Sequence, residues 1–154
     1  MMGVYIGQEI FNLHNKIFNT VFEMKLRIIL LMSNESKHFF SLDKIFALDF
    51  ISCYGKEFAI SNSNLHGDNH YMRGELANRR YLAYEAIKEL HSLGYIDIKL
   101  EHGYKYRITT NGKELARQFV SSYAGEYLST AKQSIDKYCK YGDNELLRII
   151  QIDK

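Results

Sequence analysis

His66 and His70 bracket Asp68, and all three side-chain types can ligate a divalent metal. Their setting argues against such a site. Serine, asparagine and glycine surround them, no cysteine partner accompanies them, and ligands on a soft loop hold no fixed geometry. Asp97-Ile98-Lys99 has the acid-x-lysine spacing of some nuclease cores. Those cores need further carboxylates on neighbouring strands to hold a metal, and Glu101 alone does not supply them. Thr110-Asn111-Gly112-Lys113 ends like a phosphate loop but lacks its earlier glycine and preceding strand. There is no Gly-x-Ser-x-Gly elbow. Cys53 has only Lys56 nearby to lower its pKa and reads as a small buried side chain. The expectation is a chain without enzymatic activity, metal or cofactor.

Binding chemistry is better represented. The net charge is +2, too balanced for a polybasic nucleic-acid coat. The surplus is local: residues 71–117 carry nine basic and six acidic side chains, while the stretches on either side are neutral or slightly acidic. Lys99, Lys105 and Arg107, with Arg73 upstream, are the candidate contacts to double-stranded DNA, through its phosphates. On a helical projection of residues 75–93, the outward face holds Asn78, Tyr81, Glu85, Lys88, Glu89 and Ser92. Glu85 and Glu89 would repel phosphates where a base-reading helix usually carries donors. Arg79 falls inside the apolar arc of this helix and Arg80 on its edge, while Asp49 sits in the apolar arc of the helix from Leu42. A buried guanidinium needs a carboxylate, so Asp49 is expected to meet Arg79 or Arg80 as a structural ion pair.

The elements that must hold these residues follow from periodicity. Ile10, Leu13, Ile17, Val21, Met24, Ile28 and Leu31 recur at helical spacing over 9–33. Ser41 reads as the cap of a helix to about Cys53. Residues 55–72 read as a long polar loop of the functional or mobile kind. A helix over 75–93 stops at Gly94, and Tyr95–Leu100 and Tyr104–Ile108 alternate as a hairpin around His102-Gly103. Thr110 is expected to cap a helix running on from Asn111 to about Lys140, with a short helix over 144–150 after it. This order predicts a mainly α chain with a small β-hairpin: a winged-helix domain over 1–117, then C-terminal helices over 118–154.

The tail keeps an apolar stripe that must be covered, either by its own domain or by another subunit. Phe119, Tyr123, Tyr127, Tyr138, Leu146 and Ile149 are the candidate partner interface. At 154 residues the chain can build one sizeable core, its two cysteines do not make a disulfide scaffold, and no apolar run approaches the ~20 residues of a membrane span. The expectation is a cytoplasmic protein without a membrane partner.

An ordered series of short motifs then stands out: Leu42-Asp43-Lys44-Ile45-Phe46-Ala47-Leu48-Asp49-Phe50, Arg73-Gly74-Glu75-Leu76, Arg79-Arg80, Leu93-Gly94, and Tyr106-Arg107-Ile108-Thr109 with Gly112. Ser122-Tyr123 and Asp143-Asn144-Glu145-Leu146-Leu147-Arg148-Ile149 complete it. The series resembles the small middle component of the ABC-three-component systems, which include Lamassu-type defence against phages and plasmids. The resemblance implies a non-catalytic winged-helix subunit with two partners, a large SMC- or Rad50-like ATPase and an effector that is often a nuclease. It also implies a complex that senses foreign DNA. The alternative is a stand-alone dimeric winged-helix transcription regulator, which would need a donor-rich recognition face.

Overall fold

The computed structural model describes residues 20–152. Ile10, Leu13 and Ile17 of the expected first helix lie outside them. Helix α1 (Val21–Ser33) starts where the Thr20 hydroxyl accepts the Glu23 N–H at 3.1 Å. It buries Met24 and the run Ile28–Met32 almost completely, each side chain worth about 1.5–3 kcal/mol. Strand β1 is only Phe40–Ser41, and Ser41 then caps α2 (Leu42–Cys53) by accepting from Lys44 N at 3.1 Å. Short 3₁₀ turns at Gly55–Phe58 and Met72–Glu75 bracket the next segment. Helix α3 (Leu76–Ser92) ends at Gly94, whose φ of +84° suits a glycine after a helix.

Strands β2 (Ile96–Leu100) and β3 (Tyr104–Ile108) form the expected hairpin, and β1 adds to it antiparallel, giving the sheet order β1-β3-β2. Helices α4 (Thr110–Arg117), α5 (Ser122–Tyr138) and α6 (Asp143–Gln151) follow. The chain is mainly helical with one small antiparallel sheet, and no described helix is long and apolar enough to cross a membrane.

Three expectations are corrected here. The long helix from Asn111 to Lys140 is two helices: α4 is capped by Thr109 rather than Thr110, and the Ser121 hydroxyl takes the Ala124 N–H at 3.1 Å to start α5 afresh. Residues 55–72 stay loop-like between the two 3₁₀ turns but are anchored to the core rather than free of it. Phe58, Ile60 and Met72 enter the core, and Asn64 Oδ1 accepts the Lys56 N–H at 3.0 Å, so the polar side chains pin the segment from within. The tail stripe is covered by its own chain: α5 packs on α1 and α2, and α6 on α2. Tyr127, Tyr138 and Leu146 are therefore buried in the common core and are not offered to a partner, while Phe119, Tyr123 and Ile149 are half-buried against it.

Candidate functional site

The helices meet around one buried carboxylate. Asp49, midway along α2, accepts from Arg27 Nε of α1 at 2.9 Å and from the Tyr127 hydroxyl of α5 at 2.7 Å. Arg79 of α3 brings its Nη1 to 3.5 Å from Asp49 Oδ2, an ionic contact outside hydrogen-bond geometry. Further contacts hold Arg79, among them the Phe50 ring at 5.8 Å from its guanidinium. Its Nε donates to Glu75 Oε1 at 3.0 Å, its Nη2 meets His66 Nδ1 at 2.8 Å, and its guanidinium lies over the Tyr54 ring at 5.3 Å. A guanidinium only donates, so His66 Nδ1 accepts and its Nε2 carries the proton toward the Tyr123 hydroxyl at 2.8 Å. Tyr54 and Asn69 donate to the two oxygens of Glu75 at 2.8 and 3.1 Å.

Arg27, Arg79, Asp49 and Glu75 are each no more than 1 % exposed. Burial opposes the Arg27 charge, but its acidic neighbours, Asp49 foremost, together more than restore it, and its pKa stands well above the ordinary arginine value. Burial, then the Asp49 charge, pushes the Cys53 thiol up to about 12. Burial likewise raises Tyr127, Tyr123 and Tyr54. The nucleophiles here are held protonated, and the cations and carboxylates neutralise one another. The arrangement fixes how four helices dock.

Arg79 thus sits beside Asp49, but Arg80 does not join them: one step around α3 it faces solvent and pairs with Asp43 at 2.8 Å. Arg27, Glu75 and His66 are network members that the sequence reading passed over. Arg27 carries a related signal, a guanidinium followed directly by the apolar run Ile28–Met32. Among the described residues no group of three histidine, cysteine, aspartate or glutamate side chains is placed to hold a metal.

The basic candidates divide. Lys99, Lys105 and Arg107 share the hairpin face that also holds Asp97, the face opposite Ile98 and Tyr106. Lys99 pairs with Glu101 at 2.6 Å, and Lys99 and Arg107 both stack on the Phe39 ring. Arg73 stands at the other end of α3, donating to the Ile150 carbonyl at 3.2 Å. On α3 itself Lys88 is paired with Glu85, and Glu89 with Lys25.

Two apolar grooves flank α3. One, of about 180 Å³, lies between Phe22, Leu26, Leu90, Leu93, Leu115 and Phe119. The other, of about 310 Å³, lies between α3 and the hairpin, with Tyr84, Ile87, Ile98 and Tyr104 on its walls. Phe22 (73 % exposed), Leu93, Leu100 (75 %) and Tyr104 stand open beside them. A third, polar cleft separates Ser61–Asn64 from Ser122, Ser129 and Gln133 of α5.

The family model described as ABC-three component (ABC-3C) system Middle Component 2 matches residues 17–153. The chain belongs to this family. Membership makes it one component of a multi-component system, which implies protein partners. No curated protein and no solved structure matches the chain. Open apolar grooves on a component of this kind are candidate sites for those partners.

Proposed function

We propose that this middle component is a non-catalytic adaptor of a cytoplasmic defence complex, bridging an SMC- or Rad50-like ATPase and a nuclease-type effector. The observation that carries the reading is the contrast between a sealed ion network and two uncovered apolar grooves. An enzyme keeps its ionisable groups where substrate reaches them, whereas an adaptor keeps its apolar surface open. Two grooves separated by α3 suit a subunit with two partners. The Lamassu type of system is the version that the motif series favours.

The same reading takes α1, α2, α3 and the three strands as a winged helix. The short strand after α1 pairs with the second strand of the hairpin after α3, the strand order that this fold requires. A stand-alone regulator is disfavoured by the α3 surface, where Tyr81, Tyr84 and two ion-paired glutamates stand in place of base-reading donors. DNA contact is auxiliary at most and would fall on Lys99, Lys105 and Arg107.

Co-expression of the tagged chain with the products of its neighbouring genes tests the proposal. A stable complex containing the ATPase and the effector is expected, with no hydrolysis of DNA by the isolated chain in divalent metals. A chain that purifies alone and binds a palindromic DNA site tightly refutes it.

A further inference from the structure

We propose that the open edge of β2 pairs with the same edge of a second copy of the chain, antiparallel about a two-fold axis at Ile98. The inference goes beyond the adaptor reading and stands independently of it.

The sheet order β1-β3-β2 leaves β2 unpaired on its outer side among the described residues. The ladder phase follows from two bonds at its ends: Thr109 N–H donates to the Tyr95 carbonyl at 3.0 Å, and Glu101 N–H to the Gly103 carbonyl at 2.9 Å. In an antiparallel pair bonded positions alternate, so Ile96, Ile98 and Leu100 turn their amides and carbonyls to the open edge. The opposite edge, β1, is two residues long; β2 is five. Natural sheets blunt an edge of that length with proline, a bulge or charge. Strand β2 has no proline, pairs with β3 one residue for one, and carries charges that alternate in sign: Asp97, Lys99, then Glu101.

That alternation selects the occupant. Outward-facing residues must oppose one another for the new ladder to form, so an added copy can slide only in steps of two. With Ile98 opposite its own copy, Ile96 meets Leu100 and Asp97 meets Lys99, each contact occurring twice. All five residues of both strands are then paired. Sliding two residues one way sets Asp97 against Asp97; sliding the other way sets Lys99 against Lys99 and Asp97 against Glu101. Only the central register combines full pairing with unlike charges.

The individual groups fit this register. Among the described residues Asp97 makes no ion pair, although Arg107 stands across the hairpin from it. Lys99 holds Glu101 at 2.6 Å, and an ammonium with three donors can keep that bond and reach Asp97 of the second copy. Asp97 and Lys99 spend their backbone groups on β3, so their pairing across the two-fold is of the non-hydrogen-bonded kind, which brings side chains closest. A two-fold axis normal to the sheet lays like face on like face. Exposed Leu100 and Ile98 would therefore line up with Ile96 and Ile98 of the copy, on the side away from the charges. DNA at this edge would face the carboxylates of Asp97 and Glu101.

Sedimentation equilibrium on the 154-residue chain should show a monomer–dimer equilibrium. Asp97→Lys and Lys99→Asp, each at an exposed position, set like charges across the interface twice. Each should keep a near-native unfolding midpoint and raise the dimer dissociation constant by roughly tenfold or more. Mixed in equal amounts, the two variants oppose lysine to aspartate at both contacts and should recover the dimer as a heterodimer. The Ile98 and Leu100 amides of the unaltered chain should gain exchange protection as its concentration rises. A chain that stays monomeric up to near-millimolar concentration, single variants that dimerise unchanged, or a mixture that associates no better than its components overturns the inference. So does protection of these amides that appears only with a co-expressed neighbour, which assigns the edge to that partner. Capture of the neighbouring gene products is a separate readout, so failure here leaves the adaptor reading standing.

Discussion

Asp49→Ala is the sharpest test of what holds the helices together. The substitution removes the buried counter-ion of Arg27, the nearest carboxylate to Arg79 Nη1 and the acceptor of the Tyr127 hydroxyl. Breaking a buried pair by deleting one partner costs about 3–5 kcal/mol, and a stranded buried hydroxyl about 1–3 more, the two overlapping. A total near 5 kcal/mol is a large share of the ~5–15 kcal/mol that keeps a domain folded. At this chain length it lowers Tm by roughly 10–20 °C. The reference is Arg80→Ala, which breaks an exposed pair with Asp43 and should cost about 0–1 kcal/mol. Urea unfolding followed by far-UV circular dichroism measures both. Removing the ion pair as a unit, Arg27→Met with Asp49→Leu, should cost less than Asp49→Ala alone, because Arg79 and Glu75 remain a neutral pair. If Asp49→Ala lies within about 1 kcal/mol of Arg80→Ala, the buried network is not what docks these helices.

Gly112→Ala would place a Cβ 2.4 Å from the Tyr95 carbonyl oxygen and should destabilise by about 1–3 kcal/mol in urea titration, whereas Gly125→Ala, in open space on α5, should stabilise by up to ~1 kcal/mol. With thiol reagents, half-buried Cys139 should react in the native chain and Cys53 only on unfolding. Because the Cys53 thiol is raised from an ordinary 9.0 to about 12, the unfolded chain loses its proton first, so the stability present below pH 9 should fall as pH rises toward 12. Cys53→Ala should flatten that fall in urea midpoints taken across the range. Lys99→Glu with Lys105→Glu and Arg107→Glu should weaken DNA retention by the complex and reduce its salt slope by about three units; an unchanged slope in a salt titration removes these cations from DNA contact.

What the sequence made legible were elements whose signals are local. The Ser41 cap, the Gly94 stop and the alternation of Tyr95–Leu100 need only their neighbours to be read, and each stands in the structure where periodicity put it. The failures share the opposite property. Strand β1 is two residues whose existence depends on Tyr106 and Lys105, far along the chain. The segment 55–72 looks like a free polar loop because its polar groups are counted one by one, whereas Asn64 spends its groups on Lys56, Glu57 and Asp68, His66 on Arg79 and Tyr123, and both are buried. Ser121 was hidden inside an apolar repeat that its hydroxyl interrupts. Arg79 was legible as a misplaced charge on an apolar face, and the related signal at Arg27 pointed to the stronger partner of Asp49.

The buried network also bears on why an adaptor would keep it. Apolar replacement of a buried ion pair is often neutral or stabilising, so stability alone does not account for four sealed charges. Their geometry is more restrictive than oil-like packing: Asp49 satisfies Arg27 and Tyr127 only when α1, α2 and α5 hold one mutual register, and Arg79 with Glu75 and His66 extends that constraint to α3 and to residues 55–72. Both apolar grooves are walled by α3, so fixing its register fixes the shape that each groove presents. On the adaptor reading the network is the device that presets two docking surfaces in one rigid relation, and loss of Asp49 should loosen partner capture at temperatures where the chain is still folded.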